Sequence, residues 1–471
     1  MKPAAIYENE SSTQTRITTA GLLVLAGVVG TLLLIVPVAD TRIWDPAITN
    51  LFLLLAFTAI HETGRAQTDL LRPIHWINGI FLVLFVGHPV ALVLTGLLDR
   101  AYRNRFDLRE SYPTALWLGM LAITALNVAY ISSRSWRRAS LADASVVVRK
   151  FDVVLAARVA SVCGVIAVCA ALYLEQTGFY AYAEGASAGA GRTAYVYFVP
   201  FIAVPACCLL VLCVSRGGGA SAKLALISIL TASVGIQLYA GARRSVFILV
   251  AAPLATYLVD RRVRISRALI ATLLPIALFV FAAVGDANGF RSDLFSSLKA
   301  ALSDPGRVIL NFMTGADTEM VDGFALQLQS MERIGFHPVS TIVSVLSHPV
   351  PRVFWPGKPV TADVALNNYH FGWGIHQAGV AYSFLGEGYY AAGIVGVALL
   401  AAILGWFYGY VERSLLSNRS EWNIMFFAIA LAMVPTVVRG ILAYNLAIAS
   451  FLLAPIFFVF VLAPKTRTPV P

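Results

Sequence analysis

The sequence predicts an all-α polytopic membrane protein, and three observations lead there. Apolar stretches near the roughly 20 residues that a helix needs to cross a bilayer recur along the chain. Only 13% of the 471 residues are charged and 58% are hydrophobic, whereas soluble domains carry about 25% charged residues. The cations sit in short loops between the apolar stretches, unequally on the two sides. The expectation is a single integral membrane domain over residues 1–471, with about twelve transmembrane helices and one large loop, 285–378, inserted between helices.

The stretches lie near 17–38, 46–60, 74–98, 113–132, 153–174, 194–214, 223–240, 245–259, 268–284, 379–410, 422–438 and 441–463. The tenth is long enough for one span plus a lead-in. The first is too long for a signal-peptide core, and Pro37 stands where a cleavage site wants a small residue. It is expected to remain as a helix. With the N-terminus inside, the inner segments carry nineteen Lys and Arg and the short outer loops nine. That bias places both termini in the cytoplasm and the 285–378 loop outside. The net charge of +10 is therefore spread over loops, which argues against a nucleic-acid partner. Membrane lipids are the expected surroundings. All five cysteines fall in predicted spans, which suggests core packing rather than disulfides or a thiolate metal site.

The long loop carries ten aromatic residues that this reading uses, among them Phe324, Phe336, Trp355 and Tyr369. It has enough apolar mass to fold down onto a helix bundle. "SDLFSSLKAAL" and "VDGFALQLQSMERI" have apolar residues near helical spacing and are expected to form an outer cap. Four of the seven histidines, His337, His348, His370 and His376, lie here with Arg291, Arg352 and Lys358. This concentration favours a site on the outer face.

Within the loop, "SHPVPRVFWPGKP" holds Pro349, Pro351, Pro356 and Pro359, which fix φ and forbid a regular helix. The expected result is a stiff strap that presents Arg352, Trp355 and Lys358. Guanidinium forks suit phosphate oxygens, and an ammonium adds a point charge. The plain alternative is a rigid connector whose cations meet lipid head groups.

Further candidates lie at other outer turns. "LYAGARRSVFILV" places Arg243 and Arg244 between two spans, with Ser245 able to cap the second. Adjacent arginines at a helix start suit an anion. Arg439 in "PTVVRGILAYN" sits at the last outer turn, with Tyr444 and Asn445 about one helical turn later. Glu387 in "SFLGEGYYAAGIVG" opens a span between Gly386 and Gly388, which allow close approach. Its carboxylate can accept a hydroxyl proton or simply face water at a helix start. Tyr389 and Tyr390 suit an interface belt or a sugar-stacking surface. His88, beside Pro89 in mid-span, reads as a bonded core histidine. "DTE" at 317–319 carries little weight as a metal site.

Three of these stretches, "GARRS", "PRVFWPGKP" and "LGEGYYAAGIVG", together with the span layout, resemble the Wzy-type oligosaccharide repeat-unit polymerases of bacterial surface polysaccharide pathways. The resemblance implies a GT-C-like membrane glycosyltransferase of the inner membrane, with the large loop periplasmic. Its substrate would be an undecaprenyl-pyrophosphate-linked oligosaccharide, moved onto a new lipid-linked repeat unit. A chain-length regulator is an optional partner, and no cofactor or metal is expected. One departure is that the usual single outer arginine is doubled here. The leaving diphosphate needs fixed cations. Arg243, Arg244, Arg352 and Lys358 are assigned to it, with Arg291 or Arg439 in support. Glu387 is the first choice of base and His337 the second, and Tyr389 belongs to the substrate surface. An O-antigen ligase and a lipid-linked oligosaccharide transporter are the alternatives.

Overall fold

The computed structural model describes residues 41–62, 71–97, 106–135, 148–149, 151–177, 196–240, 242–263, 299, 302–315, 318–348, 350, 354–372, 382–463 and 465–466. The expected spans 17–38 and 268–284, and the residues Arg291, Arg352 and His376, lie outside them.

The described chain is almost entirely helical. In order it forms α1 (Thr41–Glu62), α2 (Pro73–Leu82), a π-helical turn (Val83–Gly87), α3 (His88–Thr95), α4 (Tyr112–Ser135), α5 (Val153–Gln176), a 3-10 turn (Val196–Ile202), α6 (Ala203–Ser215), α7 (Gly219–Tyr239) and α8 (Arg243–Asp260). Then come α9 (Pro305–Thr314), α10 (Met320–Ile334), α11 (Pro338–Ser347), α12 (Ala362–Phe371), α13 (Ser383–Ser417), α14 (Glu421–Arg439) and α15 (Leu442–Leu462). Val148–Arg149 and Lys465–Thr466 pair as two short antiparallel strands.

Among the described residues, nine helices are long and apolar enough to cross a membrane. Each coincides with an expected span, and α8 coincides with a tenth. The protein is thus an all-α polytopic membrane protein. In the most apolar windows of α5 and α7 only 22% and 17% of residues are buried. Their apolar faces, including Val162, Val165, Leu224 and Ile227, turn outward. A helix that hides so little of its apolar surface from its surroundings is suited to lipid.

The helices form two compact units. Unit 1 comprises Met1–Ser132, Met313–Pro338 and Ala381–Gly409, and unit 2 comprises Ser133–Phe312, Val339–Val380 and Tyr410–Pro471. The segment expected as one loop contributes to both.

In unit 1, Pro73 starts α2 at the first helical position, where its missing N–H costs nothing. Pro89 has the opposite effect. It cannot donate to the preceding turn, and the helix widens just before it, with the His88 N–H bonding Val83 O five residues back. That widening carries His88 into the core, where it is fully buried. The expected tenth span is two helical arms. Ala392 (φ −149°, ψ 28°) and Gly393 (φ 61°, ψ −141°) interrupt α13. The left-handed φ at Gly393 is one a glycine adopts without strain. The arms cross with backbone on backbone, and a side chain at position 396 would collide with the carbonyl oxygen of Gly388. The lead-in is therefore Ser383–Ala391, folded against the span that follows.

In unit 2, Asp152 caps α5 by accepting from the N–H groups of Val154 and Leu155 at 2.9 and 3.0 Å. A stripe of Ala156, Ala160, Gly164, Ala167 and Ala171 is buried. Small residues at this spacing let neighbouring backbones approach. The α6 helix runs through the centre, with Cys207, Cys208 and Cys213 buried along it, and packs on α5, α7 and α8.

Candidate functional site

Two polar ends can be told apart in unit 2. Arg216, just after α6, reaches Asp260 at the end of α8 at 2.8 Å and Glu421 at the start of α14 at 3.2 Å. Burial works against its charge, but the two carboxylates outweigh burial and raise its pKa. Arg419 donates to Val259 O at 2.5 Å. The C-terminus of α8 and the N-terminus of α14 therefore share one end. It follows that Arg243 and Arg244, which open α8, and Arg439, which closes α14, share the other.

Here α8 begins directly at Arg243. Its N-cap is Ala242, with no side-chain cap. Ser245 is buried within the first turn instead of capping it, so the expected serine cap does not form. Arg244 is exposed and Arg243 half-buried. An uncapped helix start with two guanidinium groups gives this end a positive field.

Tyr444 gathers groups from other elements at this end. Tyr444, in the first turn of α15, hydrogen-bonds to Tyr197 of the 3-10 turn, and Arg244 and Asp363 lie within electrostatic range of it. Phe198 packs edge-on against Tyr444 at 5.2 Å between ring centroids. Asp363 comes from the first turn of α12, and Thr361 is the N-cap of that helix. Its Oδ1 is sealed from solvent with no hydrogen-bond partner. Burial pushes the Asp363 pKa up, although Thr361 and the N–H groups of Val364 and Asp363 pull the other way. Farther along α12, burial pushes His370 down to about 4.

The turn between α14 and α15 adds Arg439 and Asn445. Arg439 is half-buried. Asn445 is 4% exposed, and neither atom of its amide has a hydrogen-bond partner. It lies against Gly440, where an added Cβ would sit 3.2 Å from Nδ2. Val345 of α11 packs on Ile441 and Ala443 of the same turn, which fixes α11 to this end.

Lys358 is placed differently from expectation. It is buried, and Nζ donates to the carbonyls of Ser347 (3.3 Å), His348 (3.2 Å) and Val350 (2.6 Å). An ammonium has three donors. These carbonyls lie at the C-terminus of α11 and just past it, where a cation is favoured. Lys358 therefore clamps the proline-rich strap and is not presented to a substrate. Trp355 of the same strap is exposed.

In unit 1, Glu387 is fully buried, so the water-facing reading does not hold. The preceding residue is pinned: Gln327 Nε2 donates to Gly386 O at 2.9 Å. A Cβ at 386 would lie 2.6 Å from Gln327 Oε1. His337 is held beside Glu387's helix by two contacts. Its N–H donates to Tyr390 O at 2.8 Å, and its ring stacks on Tyr390 at 4.9 Å. Nε2 faces the carbonyl acceptor Ile334 O at 3.1 Å. Tyr389 is flanked edge-on by Phe324 and Phe336, each at 5.9 Å. It is packed rather than an open stacking surface.

Of the two segments expected as an outer cap, 292–302 lies mostly outside the described residues, and α10 is buried over most of its length. Asp322 on it turns inward with the apolar residues. His88 Nε2 lies 2.8 Å from Asp322 Oδ1, and Tyr112 donates to the same oxygen at 2.8 Å. His88 Nδ1 meets Met313 O at 2.5 Å. Of the "DTE" triplet, Thr318 turns its hydroxyl to Met313 O, and Asp317 is outside the described residues.

Unit 1 holds a second buried polar group that sequence reasoning missed. His75 Nε2 lies 2.8 Å from Glu62 Oε1, and Arg72 Nη1 lies 3.6 Å from it. Arg72 also donates to His61 O at 3.0 Å. His61 meets Asn127 at 2.9 Å, and Asn127 pairs with Asn78. Glu62 and Arg72 had the appearance of ordinary loop charges, and their only sequence signal is their position at span ends. Asp363 and Tyr197 also went unnoticed, since nothing in their local sequence marks them.

The structure thus gathers Arg243, Arg244 and Arg439 at one end of unit 2 and sets Glu387, His337 and Tyr389 in unit 1. No protein-family model, no curated protein and no solved structure matches the chain.

Proposed function

We propose that the chain is a membrane glycosyltransferase of the Wzy type. In this reading it moves a glycan from undecaprenyl pyrophosphate onto a lipid-linked repeat unit, at the periplasmic face of a bacterial inner membrane. Twelve spans, a GT-C-like arrangement and cytoplasmic termini belong to the same proposal. The observation that carries it is the gathering of Arg243, Arg244 and Arg439 at one end of unit 2, beside the uncapped start of α8.

The chemistry asks for little more than this. A diphosphate is already a good leaving group. As the anomeric bond breaks, negative charge grows on its oxygens, and cations fixed in advance stabilise that charge without reorganising. Arg244 is the exposed member and is assigned the first contact. Arg243 and Arg439 support it from the rim. Arg291 and Arg352 remain candidates from the sequence. Glu387 and His337 stand on neighbouring elements of unit 1.

The test is incubation of purified protein, in lipid nanodiscs, with a lipid-linked repeat unit. A ladder of products on a gel is expected, and Arg244→Ala should reduce it about a hundredfold. Absence of a ladder with the native protein would reject the reading. A ligase would instead need lipid A-core as acceptor, so offering that acceptor separates the two.

Transport is a second reading, favoured by one observation. Unit 1 carries ionisable groups at or within its spans that are paired: Glu62 with Arg72 and His75, and His88 with Asp322 of α10. Such groups mark substrate or ion paths in transporters. Passage of a fluorescent lipid-linked oligosaccharide across proteoliposomes, without ladder formation, would establish it.

A further inference from the structure

We propose that His88, Asp322 and Tyr112 form a proton-binding site in unit 1, and that the bound proton latches α10 to the π-widened span. The inference goes beyond both functional readings and requires neither.

The proton follows from which atoms can donate. Met313 O lies 2.5 Å from His88 Nδ1 and also accepts from Thr318 Oγ1 at 2.8 Å. A carbonyl oxygen only accepts, so Nδ1 carries a hydrogen. Nε2 lies 2.8 Å from Asp322 Oδ1, and the Tyr112 hydroxyl donates to that same oxygen at 2.8 Å. A neutral ring with its hydrogen on Nδ1 would aim the Nε2 lone pair at a carboxylate. The contact therefore holds one proton more than a neutral imidazole plus a carboxylate. The count is the same whether that proton rests nearer nitrogen or oxygen.

The site is sealed while α10 is docked, since His88 and Tyr112 are 0% exposed and Asp322 is 3% exposed. Among the described residues, the charged groups that bear on His88 are Asp322 and Glu319, the N-cap of α10. Tyr112 adds its hydroxyl from α4, and α1, α2 and the π-helical turn supply none. Ionisable groups inside a span mark function, and π-helical turns recur at functional sites.

The latched helix holds other residues in place. Gln327 Nε2 of α10 donates to Gly386 O at 2.9 Å, and just past α10 the His337 N–H donates to Tyr390 O at 2.8 Å. The stretch around Glu387 is thus tied to the helix that the proton latches.

Once α10 lifts away, His88 is a free imidazole with a pKa of about 6.5, and Asp322 is an ordinary carboxylate. Above that pH, docking takes up one proton from water and undocking returns it. The docking equilibrium therefore weakens about tenfold per pH unit, up to the pH at which the docked pair gives up its proton.

The test is hydrogen exchange of the full chain in lipid nanodiscs from pH 6 to 8.5, with the intrinsic pH dependence of exchange divided out. Protection of α10 should fall about tenfold per unit above pH 7, while α14 in unit 2 should show no such slope. His88→Gln keeps an amide at this position but binds no proton, and its α10 slope should be flat. The double variant His88→Gln, Asp322→Asn should be flat as well. A native slope below about threefold per unit, or the native slope persisting in either variant, overturns the proposal. If both variants lose all protection in α10, the native protein alone decides: a slope confined to α10 supports the site, and one shared by α14 is global unfolding and overturns it. Failure on any of these counts leaves the glycosyltransferase and transport readings as they stand.

Discussion

His88 Nε2 lies 2.8 Å from Asp322 Oδ1, joining a residue of the π-widened span to a helix from the long segment 234 positions away. Both ring nitrogens face acceptors, Met313 O and the carboxylate, so the ring donates on both sides. Removing one partner of such a buried pair strands the other. Asp322→Asn should therefore destabilise the protein by about 3 kcal/mol, read from thermal unfolding in detergent. The double variant His88→Gln, Asp322→Asn should cost less than the sum of the two single changes. Additive costs would mean that the two residues act independently.

The crossing of the α13 arms gives a second prediction. Gly396 has no room for a side chain, because Gly388 O, a rigid backbone atom, occupies the space. Gly396→Ala should lose about 3 kcal/mol or more, or fail to accumulate in membranes. Gly357→Ala, with nothing within 4 Å, serves as the control and should be near neutral. Equal stability of the two variants would show that the arms do not cross closely.

The spans were legible because long apolar stretches leave a helix few alternatives in lipid. Ten of the expected segments coincide with helices for that reason. The paired arginines were legible too, since their place at a turn is a local property. The long segment was not. Its amphipathic helix α10 reads as a surface cap, yet Asp322 is drawn inward by His88 and Tyr112, and no periodicity reveals a partner in a distant span. Lys358 illustrates the same limit, because the pattern shows a cation and not the three carbonyls around it. Asp363 is ordinary in its local sequence, and its solvent-sealed Oδ1 emerges only once the fold places α12.

Lys358 gives a third prediction. Its ammonium ties together three carbonyls at and beyond the end of α11. Replacing it by methionine keeps the apolar stem and removes the donors. The loss should be about 2 kcal/mol, in line with hydrogen bonds to a charged group. Cleavage within residues 347–359 by limited proteolysis should become faster. If Lys358→Met were as stable and as protease-resistant as the native protein, and only pyrophosphate binding fell, Lys358 would be a ligand after all.

The last prediction concerns acid. Burial holds His370 at about 4 in the folded protein, below the roughly 6.5 of a free histidine. Between those values the unfolded chain binds a proton that the folded chain refuses, so stability rises with pH across that window. The native protein should therefore lose melting temperature as pH falls from 6.5 towards 4. His370→Asn, which cannot titrate, should flatten that slope while leaving the melting temperature near pH 8 little changed. The ring is partly exposed, so solvent screening keeps the effect modest. An unchanged slope in His370→Asn would assign the acid sensitivity to another group, and not to Asp363, whose pKa, raised by burial, gives the opposite sign: its protonation in the folded state relieves a buried charge.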